Sequence, residues 1–207
     1  MMRFPFSLAR LVAGFCCAIA VSAAFAQEAP DALVKRVAQE TLQTIKSDAK
    51  VQAGDQQRIR EVVESKLLPY FDFDRITALA MGRNWRQASP EQQKQLVDQF
   101  RTLLVRTYSG ALAQYRDQVM DYKPLRAEAN ATDVTVRTEV VRQGQAPVQI
   151  DYSMTKSPSG WRVYDVIVGG VSLVTNYRDE FTQQVQAGGV DGLIKSLAAK
   201  NAGGSAK

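Results

Sequence analysis

The most constraining feature of the sequence is the stretch of residues 160–181, GWRVYDVIVGGVSLVTNYRDEF. Residues 161–168 predict a β-strand with apolar side chains at both alternating sets of positions, whereas a surface strand is polar on one face. Alternation gives one face Trp161, Val163 and Ile167, and the other Tyr164, Val166 and Val168. Gly169 and Gly170 end the strand, and helical spacing resumes at Val171. This pattern is typical of the wall of a core or of a cavity.

The first 26 residues have the pattern of a secretion signal. Arg3 and Arg10 give the beginning of the chain a positive charge, and residues 11–21 form an apolar run that is too short to span a membrane comfortably. Ala24 and Ala26 have the spacing of a signal-peptidase cleavage site. We therefore expect a cleaved signal peptide of residues 1–26 and export of the protein. One domain of residues 27–200 and a disordered tail of residues 201–207 should remain.

The composition excludes several classes of active site. Cys16 and Cys17 lie in the predicted signal peptide, and the chain contains no histidine. Nucleophilic triads, histidine general bases and the usual zinc ligand sets are therefore excluded, and we expect no metal and no cofactor. The net charge of +5 falls to +3 without Arg3 and Arg10. That charge is too small to indicate nucleic acid as a partner.

The order of helical and alternating patterns predicts an α+β fold. Helices are expected from a cap at Asp31 to residue 47, at 55–67, from a cap at Asp74 to residue 81, at 90–115 as the longest, at 172–186 and at 191–200. Ser89 to Gln92 has the pattern of a capping box with proline at the first helical position. Strands are expected at 119–125, 133–141, 148–154 and 161–168. Their short connections predict an antiparallel sheet of about four strands.

Carboxylates are the remaining candidates for catalysis. Asp72 and Asp74 flank Phe73, and Asp165 lies within the apolar strand. A carboxylate-dependent hydrolase is one interpretation. The simpler interpretation is structural. In it, Asp72 and Asp74 cap helices, and Asp165 has an arginine or a backbone amide as its partner.

Several pieces of the sequence together resemble the MlaC family, the periplasmic phospholipid-binding proteins also called toluene-tolerance proteins. The matching pieces are Leu67-Leu68-Pro69-Tyr70, residues 82–85 with Ser89-Pro90, the helix from Phe100 to Tyr115, residues 161–173, and Asp191-Gly192-Leu193. They span most of the expected domain in the same order as in the family.

The resemblance implies a non-enzymatic carrier in the periplasm. Its curved antiparallel sheet, similar to the nuclear-transport-factor cone, would be enclosed by N- and C-terminal helices around an apolar pocket for phospholipid acyl chains. The implied partners are phospholipid, an outer-membrane lipoprotein–porin complex and an inner-membrane ABC transporter with a substrate-binding ring. The carrier would be a monomer that maintains outer-membrane lipid asymmetry.

The lipid-binding residues are expected in two groups. The resemblance places Val166, Val168, Val171 and Leu173 at the pocket. Periodicity adds Phe100, Leu104, Tyr108, Val136, Val140, Ile150, Tyr152 and Trp161. Two alternatives stay open at this point: a periplasmic chaperone or scaffold that binds no lipid, and the hydrolase described above.

Overall fold

The structure, a computed structural model, describes residues 27–113, 118–128 and 130–203, so the predicted signal peptide lies outside the described residues. The helices are α1 (Pro30–Ser47), α2 (Ala49–Gln52), α3 (Gln56–Lys66), α4 (Phe73–Met81), α5 (Pro90–Ala113) and α6 (Leu173–Ala202). The strands are β1 (Val119–Tyr122), β2 (Asp133–Val141), β3 (Val148–Ser157), β4 (Gly160–Val168) and β5 (Val171–Ser172). Short 3₁₀ turns occupy Leu68–Tyr70 and Gly82–Gln87.

Two of the predicted helix caps are each wrong by two residues. Ala29 occupies the cap position of α1 and Pro30 opens the helix, so Asp31 lies in the first turn. Proline fits the first helical position because it lacks the N–H that a helix start leaves unpaired. At α4, Asp72 is the cap instead of Asp74, and its Oδ1 accepts a hydrogen bond from the backbone N–H of Arg75 at 2.9 Å.

The capping box at the start of α5 is confirmed. The backbone N–H of Gln92 donates to Ser89 Oγ at 3.2 Å, and the backbone N–H of Ser89 donates to Gln92 Oε1 at 2.9 Å. Both bonds satisfy donors that a helix start would otherwise leave without partners.

The C-terminal helical region is longer than predicted. The two expected helices meet at Gly189, whose φ of 66° and ψ of −174° break the helical path within α6. Because Gly189 divides α6 into two parts, α5 with 24 residues is the longest uninterrupted helix among the described residues, as predicted. The helix runs to Ala202, and Asn201 Nδ2 donates to the backbone oxygen of Gln99 at 2.9 Å. The predicted tail therefore starts too early, and residues 204–207 lie outside the described part.

The α+β fold and the antiparallel sheet are confirmed. The strands follow the order β1-β2-β3-β4-β5, every neighbouring pair is antiparallel, and the sheet is not closed into a barrel. The fifth strand is the short β5, where the sequence pattern had predicted the beginning of a helix. Ser172 accounts for the later start, because its Oγ accepts the backbone N–H of Thr175 at 3.0 Å and caps α6.

A bulge in β4 changes the predicted faces of that strand. Asp165 pairs with Ser153, but Met154 pairs with Val163, so Tyr164 is an extra residue. An extra residue shifts the alternation of side chains on one strand relative to its partner. The expected division of 161–168 into two faces is therefore wrong. Trp161, Val163, Val166 and Val168 share one face instead.

Three apolar clusters stabilise the fold: a small one packs α1, α2 and α3 together through Ile45, Val51, Ile59 and Val62, and two larger ones position the site. We call the first of the larger ones the helical core; it joins α4, α5 and α6 around residues that include Phe100, Tyr177 and Phe181. We call the second the sheet core; in it Leu33, Val34 and Val37 of α1 pack with residues of β2, β3 and β4. The sheet core contains Val134, Val136, Met154, Trp161 and Val163. Phe71 packs against both larger clusters and links them.

Candidate functional site

The strand register brings most of the predicted lipid-binding residues onto one face of the sheet. We define the inner face by Val134, Val136, Thr138 and Val140 of β2 and by the residues paired with them. One row across this face joins Val136, Tyr152 and Val166. The next row joins Thr138, Ile150, Val168 and Val171. Paired residues of antiparallel strands project from the same face, so these side chains form a continuous surface.

Burial falls along the inner face from one end to the other. Where α1 covers the sheet, Val136 is 1% exposed and Trp161 is 8% exposed. At the opposite end, Val168 is 47% exposed and Val171 is 63% exposed. The inner face is therefore an apolar surface that is covered at one end and open to solvent at the other.

The inner face offers hydrocarbon contact and little else. Of the four β2 residues that define the inner face, Thr138 is the polar one, and it is buried. Thr138 Oγ1 donates a hydrogen bond to the backbone oxygen of Ile150 at 2.9 Å. That hydrogen bond leaves the methyl group of Thr138 for apolar contact. A surface of this kind is suited to bury the apolar area of a ligand.

The remaining predicted lipid-binding residues lie elsewhere. Phe100 and Leu104 belong to the helical core, and the ring of Phe100 lies 4.9 Å from the ring of Tyr177 and 4.9 Å from that of Phe181. Leu173 packs against the same cluster. Periodicity identified Phe100 and Leu104 as apolar but could not tell which core they enter, and the family resemblance had placed Leu173 at the pocket.

Tyr108 lies on α5 and is 40% exposed. It sits close to Tyr177 of the helical core. Burial, with Tyr108 as a further contributor, raises the pKa of the Tyr177 hydroxyl well above its ordinary value. Tyr177 is therefore neutral across the physiological range and acts as a packing residue.

Sequence reasoning missed the contribution of β1 to the inner face. Met120 pairs with Val140, and Tyr122 pairs with Thr138. Tyr122 also packs against the sheet core. The alternation of Met120, Asp121 and Tyr122 was a usable signal, although a strand of four residues carries a weak one.

Two of the three candidate catalytic carboxylates, Asp72 and Asp165, have structural partners. Asp72 caps α4, and Asp74 is an exposed residue of the first turn of that helix. Asp165 Oδ2 accepts from Ser172 Oγ at 2.6 Å, and its Oδ1 accepts from the backbone N–H of Val174 at 3.1 Å. Asp165 thus fastens β4 to the beginning of α6, as the simpler interpretation of the sequence predicted.

We expect Asp165→Asn to lower the free energy of unfolding by about 1 kcal/mol, because an amide can replace only part of this pair of hydrogen bonds. If the protein carries lipid as the family resemblance implies, the variant should retain it. Urea denaturation and lipid extraction measure the two quantities, and exposed Asp74→Asn is the matched control with little effect on either. Loss of lipid from Asp165→Asn at unchanged stability would contradict a purely structural role.

Two cavities lie among the helices, away from the inner face. One of about 550 Å³ is lined by charged residues of α3 and α5, including Arg60, Asp98 and Arg101. The other, of about 580 Å³, is lined by Arg83, Arg86, Arg178, Ala78, Leu79 and Gly82. Within the described ranges, no cluster of side chains is suited to hold a metal ion. No helix in this part of the chain has the length and apolar character needed to cross a membrane.

The architecture is similar to that of a phospholipid-binding protein of known structure. A phospholipid-binding protein from Ralstonia solanacearum, solved in complex with a phospholipid, is 45% identical and superposes with a TM-score of 0.78. The match covers 84% of this chain and 97% of that one. The fold described above is thus similar to that of a protein whose ligand is visible.

Sequence comparison agrees with the structural similarity. The intermembrane phospholipid transport system binding protein MlaC of Haemophilus influenzae is 24% identical over 84% of this chain and 83% of its own length. The toluene tolerance protein ttg2D of Pseudomonas putida is 25% identical over 80% of this chain and 77% of its own length. The profile of the family described as MlaC protein matches residues 35–199. The chain therefore belongs to the MlaC family.

Proposed function

We propose that the protein is a phospholipid carrier that holds acyl chains against the inner face of its sheet. The observation that carries this proposal is the gradient along that face, from Val136 at 1% exposed to Val171 at 63% exposed. A closed core would be buried at both ends, whereas a site that loads and releases a long apolar ligand needs an open end. The similarity to a protein solved with a phospholipid supports the same assignment.

Energetics explain why such a carrier is needed. Each methylene group removed from water contributes about 0.8 kcal/mol. Two long acyl chains crossing an aqueous compartment without cover would thus cost on the order of 20 kcal/mol. A carrier has to reduce this barrier without binding so tightly that delivery stops, and a partly open apolar face satisfies both requirements.

The proposal extends to the compartment in which the carrier works and to its partner complexes. After removal of the signal peptide of residues 1–26, the carrier works in the periplasm as a monomer without enzymatic activity. It moves phospholipid between an outer-membrane lipoprotein–porin complex and an inner-membrane ABC transporter with a substrate-binding ring. Those partners supply direction, because the sequence has no phosphate-binding glycine loop that would indicate a nucleotide site.

Organic extraction of the purified native protein, followed by mass spectrometry, tests the proposal. We expect stoichiometric phospholipid with two acyl chains. A protein that carries no phospholipid, and takes up none from vesicles, would overturn the carrier assignment in favour of a chaperone or scaffold. Release of free fatty acid from added phospholipid would instead indicate a hydrolase.

A further inference from the structure

Every strand of the sheet presents an exposed valine at the same end. We call these five residues the valine rim: Val119, Val141, Val148, Val168 and Val171. The strand register shows that they are close together, because Val119 pairs with Val141 and Val168 pairs with Val171. Val148 pairs with Val140, the neighbour of Val141. Among the described residues with large exposed apolar side chains, Tyr108 alone lies outside the rim.

Cargo binding on the inner face accounts for only part of the valine rim. Val148, Val168 and Val171 belong to the inner face through their paired residues. Val141 follows the inner-face residue Val140, so Val141 and its partner Val119 project from the opposite face. Their exposed fractions are 38% and 66%.

The opposite face is otherwise polar on these two strands. Lys123 forms ion pairs with Asp121 at 2.7 Å and with Glu139 at 2.8 Å. Val119 and Val141 therefore interrupt a charged surface at the end of the sheet. Val119 and Val141 face away from the inner face, and it is their contiguity with the other rim valines, more than their exposure alone, that points to a contact surface.

The two turns that join strands at the valine rim carry no negative charge, whereas the sequence before Val119 contains Arg116 and Asp117, which offset each other. Residues 142–147 connect β2 to β3 and contain Arg142 as their charged residue, and Gly169 and Gly170 connect β4 to β5. The end of the sheet is apolar, and these two turns carry one basic and no acidic side chain. Such an end is suited to a bilayer, which has anionic head groups at its surface and hydrocarbon beneath them.

We propose that the valine rim makes direct contact with a phospholipid bilayer, with the end of the sheet dipping into the boundary between head groups and acyl chains. Valine is favourable in hydrocarbon. It is uncommon among the residues that dominate binding between proteins, where tryptophan, tyrosine and arginine prevail. Five partly exposed valines also expose at most a few hundred Å² of apolar surface, less than the roughly 800 Å² that each partner buries in a stable protein interface.

Contact between the valine rim and the bilayer would let the cargo leave the protein without exposure to water. The inner face is continuous with the valine rim through Val168 and Val171, so an acyl chain that slides along the face reaches the rim last. With the rim in the bilayer, the chain passes from protein to hydrocarbon without crossing water. This step rests on the proposed carrier function, whereas the bilayer contact itself does not require cargo.

The double variant Val119→Glu, Val141→Glu tests the contact because both side chains face away from the cargo. The assays use protein-free vesicles of phosphatidylethanolamine and phosphatidylglycerol, with flotation as the measure of binding and fluorescent phospholipid exchange as the measure of transfer. We expect the variant to keep its phospholipid while its flotation and transfer rate fall at least about tenfold, the effect of placing charges at the hydrocarbon boundary. Val119→Thr, Val141→Thr, which has nearly the same shape without charge, should lie between the wild type and the double Glu variant.

Gln183→Glu, Gln186→Glu is the matched control. Both residues are exposed on α6, and the pair changes the net charge by the same amount. It should behave like the wild type, which separates contact at the rim from simple repulsion by anionic vesicles.

Three results would overturn the inference. In the first, wild-type protein neither floats with nor exchanges lipid with protein-free vesicles, and a partner protein is then the occupant of the rim. In the second, the double Glu variant floats and transfers as well as the wild type. In the third, that variant loses its phospholipid, so its side chains face the cargo. A wild type without lipid that still floats through its valines would instead refute the carrier function and keep the bilayer contact.

Discussion

Val171→Glu is expected to remove most of the bound phospholipid while the protein still folds. Val171 pairs with Val168 at the open end of the inner face, so a carboxylate at this position would lie against acyl chains. A charge in hydrocarbon costs about 3 kcal/mol, which corresponds to roughly a hundredfold loss of affinity. Because Val171 is 63% exposed, the free energy of unfolding without lipid should change by no more than about 0.5 kcal/mol. Extraction and mass spectrometry measure the lipid, and urea denaturation of delipidated protein measures the stability.

Val119→Glu provides a closely matched control for that experiment. Val119 is 66% exposed, lies at the same end of the sheet and projects from the opposite face. This variant should keep its phospholipid. Equal lipid content in the wild type and Val171→Glu would refute the placement of acyl chains on the inner face, and equal losses in Val171→Glu and Val119→Glu would point to a general effect of charge.

Phe100→Ala should produce the largest loss of stability among these variants. Phe100 is completely buried, and its ring makes edge contacts with Tyr177 and Phe181 in the helical core. Truncation removes the apolar contacts and leaves a cavity among three helices, which costs about 3–5 kcal/mol in comparable cases. Urea denaturation at equilibrium would measure the change.

Phe100→Leu distinguishes packing from contact with the cargo. Leucine retains much of the apolar volume, so this variant should lose less stability than Phe100→Ala and keep a wild-type content of phospholipid. If Phe100→Leu lost its lipid with little change in stability, Phe100 would belong to the cargo site as its sequence position suggested.

The local sequence determined much of the fold in advance. The capping box of Ser89 and Gln92 fixed the start of α5, and alternation of valines and polar residues fixed both ends of β2. These signals are local, because a cap or an alternating strand depends on neighbouring residues. The same reasoning gave Asp165 either an arginine or a backbone amide as its partner, and the backbone amide of Val174 is the one observed, together with Ser172 Oγ.

Long-range packing was the part that the sequence did not reveal. Nothing in the pattern of residues 161–168 distinguishes Tyr164 as the extra residue of a bulge, since a bulge is defined by the partner strand. Periodicity gave Phe100 and Val136 the same apolar character, although they belong to separate cores. The predicted site therefore combined residues of the inner face with residues of the helical core.

The connection between β4 and β5 imposes a requirement of handedness at the open end of the site. Gly169 and Gly170 have φ angles of 57° and 85°, the pair of positive values that a tight type I′ hairpin turn needs. A Cβ atom built on either residue meets no atom beyond the adjacent residues within 4 Å, so the turn restricts the sign of φ and leaves space for a side chain. A synthetic protein with D-alanine at both positions should form the same hairpin, whereas L-alanine would strain it. The spacing of Val168 and Val171 at the mouth thus depends on two achiral α-carbons, which accept the positive φ angles that an L side chain would strain.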